Sequence, residues 1–163
     1  MARRIGHVGQ TRAVQIPAKA DYGIRALLTL ANSTASITAE RLAEEQDLPP
    51  RFLGAILSDL RRAGLVTSQR GSEGGFRLAR PASEISIADA LRAISGPMAA
   101  VRGIQPQALT YDGAATNLRD VWVALRASLR NVLEHVSLEQ VASGALPSQV
   151  TKLTKDPDAW QPR

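Results

Sequence analysis

Residues 47–78 read DLPPRFLGAILSDLRRAGLVTSQRGSEGGFRL. Wound at about 100° per residue, residues 49–63 bring Leu53, Ile56, Leu57 and Leu60 onto one face, the i, i+3, i+4, i+7 spacing of a buried stripe. Opposite them fall Arg51, Gly54, Ala55, Ser58 and Arg62, a face small in the middle and basic at both ends. Small side chains let a helix backbone approach a groove floor, and flanking arginines reach phosphates or guanine edges. A merely solvated face would more often carry Glu/Lys pairs. Pro49 and Pro50 suit a first helical turn, where a missing amide donor costs nothing, and Gly64 suits a left-handed stop.

Beyond this helix, residues 65–69 and 76–79 are expected as short strands around a loop of residues 70–75. The loop is too long for a two-residue turn. Gly71, Gly74 and Gly75 permit unusual backbone angles, and Arg70 and Arg77 flank the tip. A nucleotide-binding glycine loop requires a helix directly after it, with Lys-Ser/Thr in the P-loop case; here a strand follows, which sets that reading aside. Upstream, Thr38 is a candidate cap for a short helix over residues 39–46, with Ile37 and Leu42 in staple positions. Residues 47–49 supply the turn between the two helices, so the pair reads as a helix-turn-helix followed by a wing.

The run LRRAGLVTSQRGSEGGFRLARP, followed by EISIADALRAISGP, resembles the Rrf2 family of bacterial winged helix-turn-helix transcription regulators. The similarity extends from about residue 16 to residue 143. It implies a mostly α fold with a small β wing, a DNA-binding unit and a long dimerisation helix. It also places the start of the first helix beside the DNA backbone, making Lys19 a phosphate candidate with Tyr22 next to it. Family members usually begin near the position of Val14, so residues 1–13 are expected as a flexible extension. Two departures stand out. Many members carry three cysteines in the loop matching residues 98–116 and bind an iron–sulfur cluster, whereas this chain has no cysteine. Some members read a base with a glutamate three residues after the position of Arg51, where Gly54 stands. No cofactor is therefore expected.

Composition agrees with a nucleic-acid partner. Of 163 residues, the first 81 hold 12 Lys/Arg against 7 Asp/Glu, while residues 82–163 hold 8 of each, so the whole net charge of +5 lies in the first half. Phe, Tyr and Trp total six, too few for the aromatic platforms of single-strand binders, which favours duplex DNA. A chain of this length buries roughly 70% of its unfolded surface without a staple. Lack of cysteine excludes disulfides, thiolate metal sites and cysteine nucleophiles, and fits a cytoplasmic protein. No apolar run approaches the ~20 residues that span a membrane.

The remaining segments complete the expected plan. Residues 17–32 form a helix with Ala20, Ile24, Leu27, Leu28 and Ala31 on one stripe. After Pro81, Ser86 caps a helix bearing Ile87, Ala90, Leu91 and Ile94, which Gly96-Pro97 stops. Residues 98–116 read as a long effector loop. Leu118, Val121, Trp122, Leu125, Leu129, Val132, Leu133 and Val136 then repeat at three and four, a stripe that a second subunit would cover to form a homodimer. Ser137 and Gln140 make a capping box for a short helix, and residues 144–163 are expected as a weakly ordered tail. The expected domains are thus 1–13, a winged helix-turn-helix over 14–81, effector loop and dimer helices over 82–143, and the tail.

Two classes of function compete: a homodimeric regulator at a pseudo-palindromic duplex site, responding to a small molecule or protein effector, and a winged-helix module that binds protein alone. The basic, small-residue face favours DNA. An enzyme is disfavoured, because neither His7 nor His135 has a nucleophile or metal-ligand companion in the sequence. The three arginines of residues 1–13 also suit a minor-groove arm.

Overall fold

A computed structural model describes residues 15–71 and 74–162; the candidate arm and His7 lie outside them. Among the described residues, seven α-helices and one hairpin follow in order: α1 (Ala18–Ala31), α2 (Ala39–Glu45), α3 (Pro50–Arg62), β1 (Val66–Gln69), β2 (Gly75–Leu78), α4 (Ile87–Ser95), α5 (Leu118–Leu133), α6 (Leu138–Ser143) and α7 (Ser148–Thr154). The architecture is mostly helical with a two-stranded antiparallel sheet.

Local chemistry sets the ends of these elements. The Thr38 hydroxyl accepts from the Arg41 N–H at 3.3 Å at the start of α2. Ser86 and Asp89 close a reciprocal capping box on α4, and Ser137 and Gln140 close one on α6. Pro50 occupies the first turn of α3, and Gly64 follows the helix at φ 71°, the left-handed region that ends helices. All four leucine-stripe residues of α3 are fully buried.

The hairpin is held from outside as well as within. Val66 pairs with Leu78 and Gln69 with Gly75, and beyond that register Ile37 bridges Phe76 through hydrogen bonds of 2.9 and 2.7 Å. The segment before α2 is thus a third, one-residue edge of the wing. Gly75 is the residue this pairing demands, since its φ is 144° and a Cβ there would lie 2.6 Å from the Ile37 carbonyl oxygen. A Cβ on Gly74 would meet the Gln69 and Gly71 carbonyls at 2.6 and 2.7 Å.

One core joins segments that the sequence reading divided at residue 81. Leu27, Leu30, Leu42, Leu53, Ile56 and Leu57 pack in the same cluster as Ile85, Ala90 and Leu138. Helix α4 lies against α1 and α3, and α6 returns to α1. Gly23 makes the α1–α4 approach close, a Cβ there falling 2.2 Å from Ile94 Cδ1. The return of the chain also corrects the stripe of α5. That helix ends at Leu133, and Val136 is 6% exposed outside it, where its carbonyl accepts from the Ile87 N–H beside the Ser86–Ser137 bridge. Val136 is buried by its own chain and lies beyond the end of α5.

Two stretches carry more structure than expected. Residues 98–116 contain a Val101–Ile104 bridge and two short 3-10 turns, Pro106–Ala108 and Gly113–Ala115, with Pro106 and Leu109 buried. The first turn packs on α5. The expected tail contains α7 and a further 3-10 turn, Pro157–Trp160, where the Trp160 indole donates to the Thr154 carbonyl at 2.7 Å.

Candidate nucleic-acid interface

The outward face of α3 keeps the composition read from the sequence, with Arg51, Ala55 and Arg62 exposed and Gly54 and Ser58 half-buried. A Cβ built on Gly54 meets nothing within 4 Å, so the backbone there borders open space. Among the described residues, no carboxylate pairs with Arg51 or Arg70. Phosphate would displace no carboxylate of the described residues from either cation.

Lys19 and Arg62 are in a different state. The Lys19 ammonium donates to the Asp59 carboxylate at 2.5 Å, and Arg62 Nη1 donates to its other oxygen at 3.0 Å. The Lys19 hydrogen bond holds the Asp59 carboxyl below its ordinary value against partial burial, with Arg62 adding to the effect. This pairing ties the start of α1 to the end of α3 and neutralises part of the basic face. Asp59 was missed in the sequence reading. Its i, i+3 spacing to Arg62 was visible there, whereas Lys19, forty residues away, required the fold.

Tyr22 is packed between elements. Its ring meets Phe52 edge-on at 5.9 Å between centroids, and the Arg25 guanidinium lies 5.4 Å from its centre. Tyr22 therefore buttresses the first turn of α3. Arg77 Nε reaches the Thr67 hydroxyl at 3.4 Å across the hairpin, and Arg61 Nη1 donates to the Ser68 hydroxyl at 3.2 Å, linking the end of α3 to β1. Gly71, with φ 112°, precedes the loop tip, while Gly74 and Gly75 are required by the backbone contacts above.

Among the candidates on α5, no residue is buried; Val121 is 56% and Leu125 38% exposed, and Leu118, Trp122, Leu129, Val132 and Leu133 are half-buried. His135 is exposed, with Nδ1 2.9 Å from the Asn131 carbonyl.

A short helix, a tight turn, a helix with an open small-and-basic face and a hairpin beside it define a winged helix-turn-helix of the DNA-binding kind. The family model described as Rrf2, iron-dependent transcriptional regulator, matches residues 16–144, and the chain belongs to that family. It is similar to Rv1287 of Mycobacterium tuberculosis (strain H37Rv), classed by name among HTH-type transcriptional regulators, at 50% identity over 88% of this chain and 90% of that one. The solved structure of CymR, titled the global cysteine regulator of B. subtilis, matches with a TM-score of 0.68 at 28% identity, covering 80% of this chain and 98% of that one. The IscR of T. potens matches with a TM-score of 0.62 at 25% identity, covering 93% and 94%.

The iron in the family's description does not fit this donor set. Iron–sulfur ligation needs thiolates or imidazoles converging on iron, and the chain has no cysteine and two histidines. Among the described residues, no group of three His, Cys, Asp or Glu side chains is placed to hold a metal ion. No helix of the described residues is long and apolar enough to cross a membrane.

Proposed function

We propose that this Rrf2-type regulator acts as a homodimer that represses transcription at a pseudo-palindromic duplex site. In this reading Arg51, Gly54, Ser58 and Arg62 of α3 enter the major groove. The wing, through Arg70, Gly71, Gly74, Gly75 and Arg77, and the start of α1, through Lys19 and Tyr22, contact the backbone. The observation that carries the DNA contact is the open face of α3, where the space over Gly54 adjoins Arg51, which no carboxylate among the described residues pairs. The apolar stripe of α5 supports dimerisation through Leu118, Val121, Trp122, Leu125, Leu129, Val132 and Leu133, because the described residues leave none of them fully buried. Control comes from an effector, a small molecule or protein, acting at residues 98–116 and α5 in place of a cluster.

A gel shift on the protein's own promoter region, with sedimentation of the free protein, tests this reading. Tight, salt-sensitive binding by a dimer is the expected result. A monomer that ignores duplex DNA would leave the protein-interaction reading.

A further inference from the structure

Two cavities adjoin between α4, the turn after it and α5, sharing Gly96, Pro97 and Met98 in their walls. One, of about 410 Å³, is chiefly apolar and is lined in part by Leu91, Met98, Val101, Trp122 and Leu129. The other, of about 280 Å³, is ringed by Arg92, Arg126 and Arg130 with Gln105. Cavities of this size and mixed lining suit small molecules.

The charges around the second cavity do not balance. Arg92 and Arg130 both donate to Glu134, and Arg92 lies 3.6 Å from Asp89, which Arg80 also holds. Arg126 has a neutral partner, donating to the Gln107 side-chain oxygen at 2.7 Å, and no carboxylate among the described residues pairs with it. Arg126 is thus the guanidinium of this ring without a carboxylate of its own among the described residues, and a group complementary to it is a carboxylate held by charge-assisted, bidentate hydrogen bonds. The apolar cavity has Trp122 in its wall, whose indole N–H is shut off from solvent and has no acceptor among the described residues.

We infer that the joined cavities form the effector site and take a small organic monocarboxylate. Its carboxylate sits on Arg126 and Arg130, and its apolar body lies against Trp122 and Met98. The inference rests on the regulator reading for its consequence, though not for the binding itself. The site joins α4, which packs on α1 and α3, to α5, so a ligand there has different contacts when the reading head and the dimer helix change their relative position.

Trp122 and Trp160 are the chain's two tryptophans, and Trp160 is exposed, so Trp160→Phe leaves Trp122 as the sole reporter. The full-length variant is titrated into the millimolar range with hexanoate, phenylacetate, hexanol and inorganic phosphate. A saturable change in Trp122 emission is expected with a carboxylate, and none with hexanol or phosphate. Arg126→Gln, at a half-buried position outside the hydrophobic core, should weaken the carboxylate by about tenfold or more, the factor for one charge-assisted hydrogen bond. No saturable response to either carboxylate, equal binding of hexanol or phosphate, or indifference to Arg126→Gln overturns the proposal. So does an emission that shifts with protein concentration and not with carboxylate, which would assign the apolar cavity to the second subunit. A gel shift on the same preparation separates the two levels: operator binding without carboxylate binding removes the site alone, and the reverse removes the regulator reading alone.

Discussion

Lys19 on α1 and Asp59 on α3, forty residues apart, are joined by a 2.5 Å hydrogen-bonded ion pair, and Arg62 closes on the same carboxylate. A carboxylate in the middle of a basic face limits how strongly that face attracts any phosphate. Asp59→Asn should therefore release two cations, tighten binding to all duplexes and steepen the salt dependence, as read by titration at several ionic strengths. Unchanged salt dependence would place Lys19 and Arg62 off the DNA.

The same pair sets a dependence on acid. The folded Asp59 carboxyl is held below its ordinary value by Lys19, so the stability it contributes is present above the unfolded value and is lost as pH falls through the lowered folded one. The stability difference between the protein and Asp59→Asn should be largest near neutrality and shrink in that acidic window, which denaturant melts across pH will show.

Arg51 and Arg70 have no described carboxylate partner, so their truncation reports on DNA with little effect on folding. Arg51→Ala or Arg70→Ala should lower the salt slope by roughly 1 where the arginine holds phosphate, or cost ~1–3 kcal/mol at one base position where it reads an edge. Both variants binding as the parent does would show the docking face to be elsewhere.

Gly54 and Gly75 should respond to alanine in opposite ways. A methyl on Gly54 meets nothing, so the helix gains up to ~1 kcal/mol in propensity while the groove-facing surface is obstructed. A methyl on Gly75 collides with the Ile37 backbone at a φ that L-residues avoid, and should loosen the wing by roughly 1–3 kcal/mol. Melting temperatures and operator affinities measured on both variants check the pair, and a Gly54→Ala protein with full affinity would count against close approach at α3.

Because the core of the reading head lies away from α5, Leu125→Asp combined with Leu129→Asp should give a folded monomer that has lost tight operator binding. Footprints of the parent dimer should repeat at about 34–36 Å or a multiple. Sedimentation separates the outcomes, and a double variant that stays dimeric would move the interface to another face.

Protein purified without oxygen should be colourless and free of stoichiometric iron and sulfide, given the lack of thiolates. Absorption spectra and iron analysis decide this directly, and a brown, iron-loaded protein would overturn it.

How much was legible in the sequence follows from the range of each interaction. Periodicity and capping act within a few residues, so the stripe of α3, the caps at Thr38, Ser86 and Ser137, the stop at Gly64 and the hairpin could all be read from their own neighbourhoods. The open, basic face of α3 belongs to the same class, being the complement of the buried stripe.

What the chain alone determined, then, was the set of local elements and the chemistry of the face they present. Only the tertiary structure decided which distant groups meet: Lys19 with Asp59, Ile37 with Phe76, Leu138 in the first core, and Val136 turned inward from a stripe it matches in period. A period of 3.6 continues on paper past the residue where a helix ends; α5 ends at Leu133, and Ser137 pairs with Ser86 just beyond it. Charge balance is non-local for the same reason. Arg126 acquires its unmatched charge, and Trp122 its orphaned donor, from neighbours that packing alone brings near or keeps away.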